Sequence, residues 1–333
     1  MTPAAELLCA LSDLIGPSGH EGPVRARLRE WAAPFADAVR EDALGSLFLQ
    51  RRGAPGARRL LLLVPMDEPG LVVTHIDERG RAAVAPLGPL SPAVAAGRRV
   101  RFGSGVAAAV GARRSEEDRS PGGFDKLHLD LGLRSRDEAE GVVRVGDAAA
   151  LDVRAEILPG GPVCGKALGS RAACAAALLA LRGAAAGGAE ATVAFLAQSA
   201  VGHRGVRPAV ARVPADLIVS VGAVATSDAQ KDAGADVRLG AGPVVVVQDR
   251  GLIASAPAVD ALAAAAAAAG VPLQVAVGDP GSAAAGPALM AAAGAPAGAL
   301  GIPVRHLHTA AEVCHPADVE AAAALLMQLL AGG

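Results

Sequence analysis

Apolar residues recur at helical spacing over residues 4–15 and 22–33, and apolar runs follow at 44–50 and 59–64, a pattern that predicts two helices and then two strands. Between about residues 71 and 156 the segments shorten and alternate (LVVTHIDERGRAAV, RRVRFGSG, GVAAAVGA, LHLDLGL, ALDVRAEI), broken by Gly, Pro and charges, which predicts a small antiparallel β domain. Its centre, ARRSEEDRSPGGFDK over 112–126, reads as a charged surface loop. Beyond residue 161, helical stretches at 172–181, 258–269, 284–293 and 316–330 alternate with apolar strands at 191–197, 217–221, 273–277 and 299–304. Strands that are apolar throughout and alternate with helices predict a mainly parallel sheet covered on both faces. The expected architecture is α/β: one three-layer domain with a mainly parallel mixed sheet, built from residues 1–70 and 162–333, with residues 71–161 inserted as a small β-barrel-like domain. No repeat or linker interrupts it.

Composition narrows the partners. At 333 residues the chain can bury a sizeable core. A net charge of −2, with 19% charged residues, gives no basic footprint, and 2% aromatics with no Tyr leave few platforms for base stacking. Nucleic acid is therefore excluded as an expected partner. No segment supplies the about 20 strongly apolar residues of a membrane span, and the first stretch, with Arg25 as its first arginine, lacks a secretory n-region. A cytoplasmic protein without membrane association is expected. Cys9, Cys164, Cys174 and Cys314 have no short paired spacing and read as small hydrophobes in a reducing compartment.

In open α/β sheets, ligands bind beyond the carboxyl ends of the strands. Here those ends read Pro65-Met66-Asp67-Glu68, Gln198-Ser199-Ala200-Val201-Gly202, Gly222-Ala223, Gly281-Ser282-Ala283 and Arg305-His306-Leu307-His308. Only the first and last carry strong polar chemistry. Asp67 reads as a turn-capping acid or a recruited functional one, and Glu68 as a residue of the cleft entrance. His306 and His308, two apart on an expected strand end, would share one face. Ser170, Ser199 or Ser282 could be drawn into a triad with His308 and Asp67, yet no Gly-x-Ser-x-Gly elbow supports the drawing, and small residues filling space is the plainer reading.

Eight motifs in order resemble one family. They are GPSGHEGPV (16–24), EDALGSLFL (41–49), VPMDEPGLVV (64–73), LDLGLRSRDEAEGVVRVGD (129–147), GKALGSRAACAAALL (165–179), AQSAVGHRGVRPA (197–209), DPGSAAAG (279–286) and IPVRHLHTAAEV (302–313). Together they are similar to the glutamyl aminopeptidase family of two-metal peptidases, which includes the tetrahedral, dodecameric aminopeptidases. The resemblance implies a zinc-aminopeptidase-like fold and homo-oligomers, dimers or dodecamers, assembled through the inserted domain. It also implies two divalent ions, zinc or cobalt, that acidify a water with a Glu as general base.

Carried over position by position, the resemblance puts the first His ligand at Pro65, the bridging Asp at Gly169, a ligand Glu at Ala200 and a ligand Asp at Gly222, with the general base at Ser199. Only the last ligand is kept, as His308, while Met66, Asp67, Leu168, Arg171, Gln198, Gly202 and Gly205 follow the family pattern. The expectation is that no dinuclear site forms and no cofactor is required. Whether the chain is an enzyme stays open. The leading reading is a non-catalytic homologue, a pseudo-peptidase that binds a peptide, small molecule or protein partner. The alternatives are a metal-free hydrolase or transferase using Asp67, Glu68, His308 or Ser199 in the old cleft, and a metal-dependent aminopeptidase with ligands from Asp279, His203 or Asp228.

Overall fold

Strand Arg59–Pro65 buries five consecutive residues, Leu60 to Val64, and divides them between two faces. Leu60, Leu62 and Val64 join a core with the helices Pro3–Ser12, Leu168–Gly183 and Pro316–Ala331, whereas Leu61 and Leu63 pack against Val206, Ala209 and Val210 of the helix Val206–Arg212. Because side chains alternate along a strand, an unbroken apolar run requires cover on both sides. The computed structural model describes residues 2–112, 122–184, 187–228, 236–278, 286 and 295–332. The helix expected over 284–293, apart from Gly286, and positions 113–121 of the expected charged loop lie outside the described residues.

This strand is central in an 11-stranded mixed sheet. It pairs in parallel with Glu190–Leu196 on one side and Leu217–Ala225 on the other, and the latter pairs in parallel with Ala297–Arg305. The flanks are antiparallel: Leu47–Arg51 with Ala38–Glu41 at one end, and Glu312–Cys314, Val163–Gly165 and Glu156–Ile157 at the other. Val244–Gln248, a valine run, adds antiparallel to Ala297–Arg305 and carries the edge strand Gln274–Val277. The parallel strands direct their carboxyl ends to one side, where a crevice opens.

Six strands between Gly70–Ile76 and Ala148–Leu151 close into a separate barrel around Leu71, Val73, Val100, Phe102 and Leu129. Closure removes the exposed edges that a small sheet would otherwise present. The chain rejoins the large sheet at Glu156–Ile157. No helix among the described residues is long and apolar enough to cross a membrane.

Candidate functional site

A cavity of about 460 Å³ opens at the carboxyl ends of the central strands. Pro65, Asp67, Gly169, Ser199, Ala200, Gly222 and His308 all line it, together with His203, Leu307 and Glu312. Gly222 reaches it from within a strand rather than after one, since Leu217–Ala225 continues past the expected end at 221.

The Met66-Asp67-Glu68 turn sends its two carboxylates in opposite directions. Asp67 faces the cavity and is buried; its Oδ2 accepts hydrogen bonds from Ser18 Oγ at 2.5 Å and the Ala200 N–H at 2.8 Å, while Oδ1 has no partner. Glu68 does not line the entrance, contrary to expectation. It points into the core, where Lys166 Nζ donates to both of its oxygens at 2.8 and 2.7 Å, Arg171 Nη2 donates at 3.2 Å and the Gly16 N–H at 2.8 Å. A carboxyl group removed from water needs partners of this kind to offset its lost hydration. Lys166 also donates to the Leu14 carbonyl and Arg171 to those of Leu11 and Met66. Glu68 is therefore a structural anchor for the turn that carries Asp67.

A second buried acid fixes the neighbouring loop. Glu21 Oε1 accepts from the N–H groups of Gly19 at 2.7 Å and Gln198 at 2.8 Å, and burial raises its pKa. Ser18 and Glu21 thus tie the GPSGHEG segment to both loops that form the cavity wall.

The opposite wall corrects the expectation for the histidines. The strand ends at Arg305, and His306 and His308 adopt left-handed backbone conformations, φ 55° and 64°, so they do not alternate on a strand face. The His308 ring stands at the solvent-exposed rim, and the surrounding protein lowers its pKa. Glu312, not singled out from sequence, organises this turn: Oε1 accepts from the His308 N–H and Oε2 from the Gly169 N–H, each at 2.7 Å. Burial pushes its carboxyl up to about 7, against the effect of those two N–H groups. The motif spacing that places a Glu four residues after His308 was the available signal.

Five non-glycine residues have positive φ among the described residues: Ala167, Gln198, His203, His306 and His308. All lie in the loops around the cavity. Such conformations cost roughly 1–2 kcal/mol each and collect where a site is held in shape by its surroundings. Ser170 Oγ donates to the Ala167 carbonyl at 3.2 Å, and Ser199 Oγ is buried without a partner. With Asp67 Oδ2 held by Ser18 and Ala200, the drawn Ser–His–Asp relay is not formed by these serines; Ser282 lies outside the described residues. Cys174 is core, its Sγ donating to the Pro65 carbonyl at 3.3 Å and its pKa raised by burial to about 12. Of the alternative ligands, Asp228 is paired with Arg305 at 2.6 Å away from the cavity, His203 lines it, and Asp279 lies outside the described residues.

The profile of the M42 glutamyl aminopeptidases matches residues 45–325. The chain belongs to this family. A curated relative from Acetivibrio thermocellus, named among the aminopeptidases, is 30% identical over 325 residues, covering 98% of each chain. Among solved structures, an aminopeptidase from the archaeon Desulfurococcus kamchatkensis superposes with a TM-score of 0.93 at 27% identity, over 98% of this chain and 94% of that one. The Pyrococcus horikoshii TET1 peptidase, described as assembling into a tetrahedron or a large octahedral shell, gives 0.89 at 26% identity over 98% and 99%.

Membership overturns the expectation that no cofactor is required: aminopeptidases of the M42 family use divalent metals, and a divalent metal is the cofactor that goes with this fold. The donor chemistry here fits a pair of such ions poorly. The side chains at Pro65, Gly169, Ala200 and Gly222 offer no donor atom, and among the described residues no group of three or more His, Cys, Asp or Glu is arranged to hold an ion.

Proposed function

We propose that this M42 member has lost two-metal peptide hydrolysis and uses the inherited cleft to bind a ligand. The observation that carries the reading is that Pro65, Gly169, Ala200 and Gly222, the positions to which the resemblance assigns metal donors, line one cavity and offer it no donor side chain, with Leu307 beside Gly169. A two-metal mechanism depends on ligand number and geometry, and on a base beside the water; Ser199 in the base position has no carboxylate to take a proton. The anchors that hold the cleft, Ser18, Glu21, Glu68, Lys166 and Arg171, are present and engaged. The cleft thus keeps its shape while its hydrolytic groups are replaced.

Purified protein supplied with zinc or cobalt is expected to release no p-nitroaniline above blank from leucyl, lysyl or glutamyl p-nitroanilides. Metal-dependent turnover would overturn the reading.

The same membership supports a homo-oligomer, with residues 71–161 as the inserted assembly domain and residues 1–70 and 162–333 as the cleft-bearing domain. On the inserted segment Val142 and Val145 are exposed, as contact residues would be in an isolated chain. Light scattering on a sizing column is expected to give a multiple of the 32.8 kDa chain mass. A monomer at micromolar concentration would remove the assembly from the proposal.

A further inference from the structure

The large sheet carries a second cavity, of about 340 Å³, at the end opposite the cleft. Arg59 and Glu190, the first residues of Arg59–Pro65 and Glu190–Leu196, line it, so a strand's length, roughly 20 Å, separates it from the carboxyl ends. Strand register shows how the cavity arises. Ala38, Gln50, Thr192 and Leu61 stand opposite one another across four strands, with Arg40, Phe48 and Ala194 in the next row on the same face. The helix Val206–Arg212 packs on Phe48, Leu61 and Ala194 and stops at Arg212. The cavity lies where this cover ends, between Arg212 and the outer strands Ala38–Glu41 and Leu47–Arg51.

Three guanidiniums and one carboxylate line it. Two of these charges are committed: Arg59 pairs with Asp216 through two bonds, at 2.6 and 3.1 Å, and Glu190 Oε1 accepts from Gln50 Nε2 at 3.3 Å. Arg40 and Arg212 are exposed, and neither makes an ion pair or hydrogen bond with any described residue. One comes from the edge strand and the other from the helix end, so two uncompensated cations meet at one concave surface from different elements. Such a concavity concentrates positive potential and attracts an anion.

The lining selects the anion. Phe48, Val213 and Pro214 are apolar, which suits a ligand with an apolar body beside its charge. Each guanidinium presents a fork of donors. A carboxylate, with two oxygens, saturates one fork, whereas a phosphomonoester has three terminal oxygens and a charge of about −1.5 to −2, enough for two. The volume falls within the range of small-molecule sites, roughly 300–1,000 Å³.

We infer that this cavity binds a small phosphomonoester with an apolar body, its phosphate held between Arg40 and Arg212 and its body against Phe48, Val213 and Pro214. Glu190 opposes the ligand's charge, which makes its substitution diagnostic. The site is separate from the cleft, and peptide hydrolysis there, present or absent, leaves the assignment unchanged.

Isothermal titration of the full chain with phenyl phosphate tests it, at neutral pH in a buffer free of phosphate and sulfate, with benzoate and inorganic phosphate as comparators. Phenyl phosphate is expected to bind. Benzoate is expected to bind at least about tenfold more weakly because it serves one fork, and inorganic phosphate at least about threefold more weakly because it lacks the body. Arg40→Gln and Arg212→Gln are each expected to weaken phenyl phosphate at least about tenfold through the lost charge-assisted bonds. Both side chains are exposed, so the fold tolerates either change. Glu190→Gln is expected to tighten binding about threefold by removing the opposing charge, an effect that loosened packing does not produce. No heat at millimolar phenyl phosphate, equal binding of either comparator, or unchanged affinity in both arginine variants overturns the assignment.

Discussion

Glu68→Ala is expected to lower folding stability by about 3–5 kcal/mol, read as a fall in the urea midpoint with an unchanged m-value. Glu68 is 2% exposed and receives bonds from Lys166, Arg171 and the Gly16 N–H. Its removal leaves two buried cations, 2% and 0% exposed, facing each other without an anion between them. Burial already lowers the Lys166 pKa, and the Glu68 carboxylate is the main influence opposing that shift. Without it Lys166 is expected to give up its proton, which caps the electrostatic cost but leaves an amine in the core. Adding Lys166→Met to Glu68→Ala should therefore recover part of the loss, because an apolar side chain of similar length needs no counter-charge. A loss below about 1 kcal/mol for the single variant would place Glu68 with weakly coupled surface pairs and refute its role as anchor. The consequence for the cleft is direct, since Met66, Asp67 and Glu68 form one turn and the Met66 carbonyl is itself held by Arg171.

The same turn shows what was legible in the sequence. The apolar run LLLLV marks a central strand buried on both faces, and the cavity-lining positions Pro65, Gly169, Ala200, Gly222 and His308 follow from the ordered motifs. The direction of Glu68 was not legible: adjacent turn residues diverge by about half a revolution, and only the distant partners Lys166 and Arg171 decide which acid faces inward. Glu312 escaped notice for a related reason, its role lying in backbone N–H groups at Gly169 and His308 that no side-chain pattern advertises. Val244–Gln248 is a short apolar run, which periodicity alone does not distinguish from a piece of helix. The histidine pair departs from alternation because both residues take left-handed conformations that a strand cannot contain. Of the residues that match the family motifs, Glu21, Glu68 and Arg171 bond backbone groups and Ser18 holds the Asp67 carboxylate, whereas the positions that depart from those motifs are the ones the resemblance assigns to metal and base.

Glu312 supplies the second large effect, in the dependence of stability on pH. Its carboxyl is raised from 4.5 to about 7, burial being the leading cause. Below 4.5 the folded and unfolded chains both hold the proton, and the contribution is fully present. Between 4.5 and about 7 the unfolded chain has released the proton that the folded chain retains, so stability falls as pH rises. Above about 7 both forms are ionised and the loss is complete, on the order of 3 kcal/mol at 1.36 kcal/mol per unit. His203 acts in the opposite sense over part of this window: burial lowers its pKa, so stability rises with pH as the unfolded imidazole loses its proton. The wild-type curve alone therefore mixes the two. Subtracting the pH profile of Glu312→Gln, which keeps the volume and one acceptor but cannot ionise, isolates the carboxyl. The difference is expected to fall by about 3 kcal/mol from pH 4.5 to pH 7 in urea unfolding. A flat difference would mean that the N–H groups of Gly169 and His308 keep the carboxylate charged in the core, and that the turn carrying His308 is organised by a buried anion at every pH in the window.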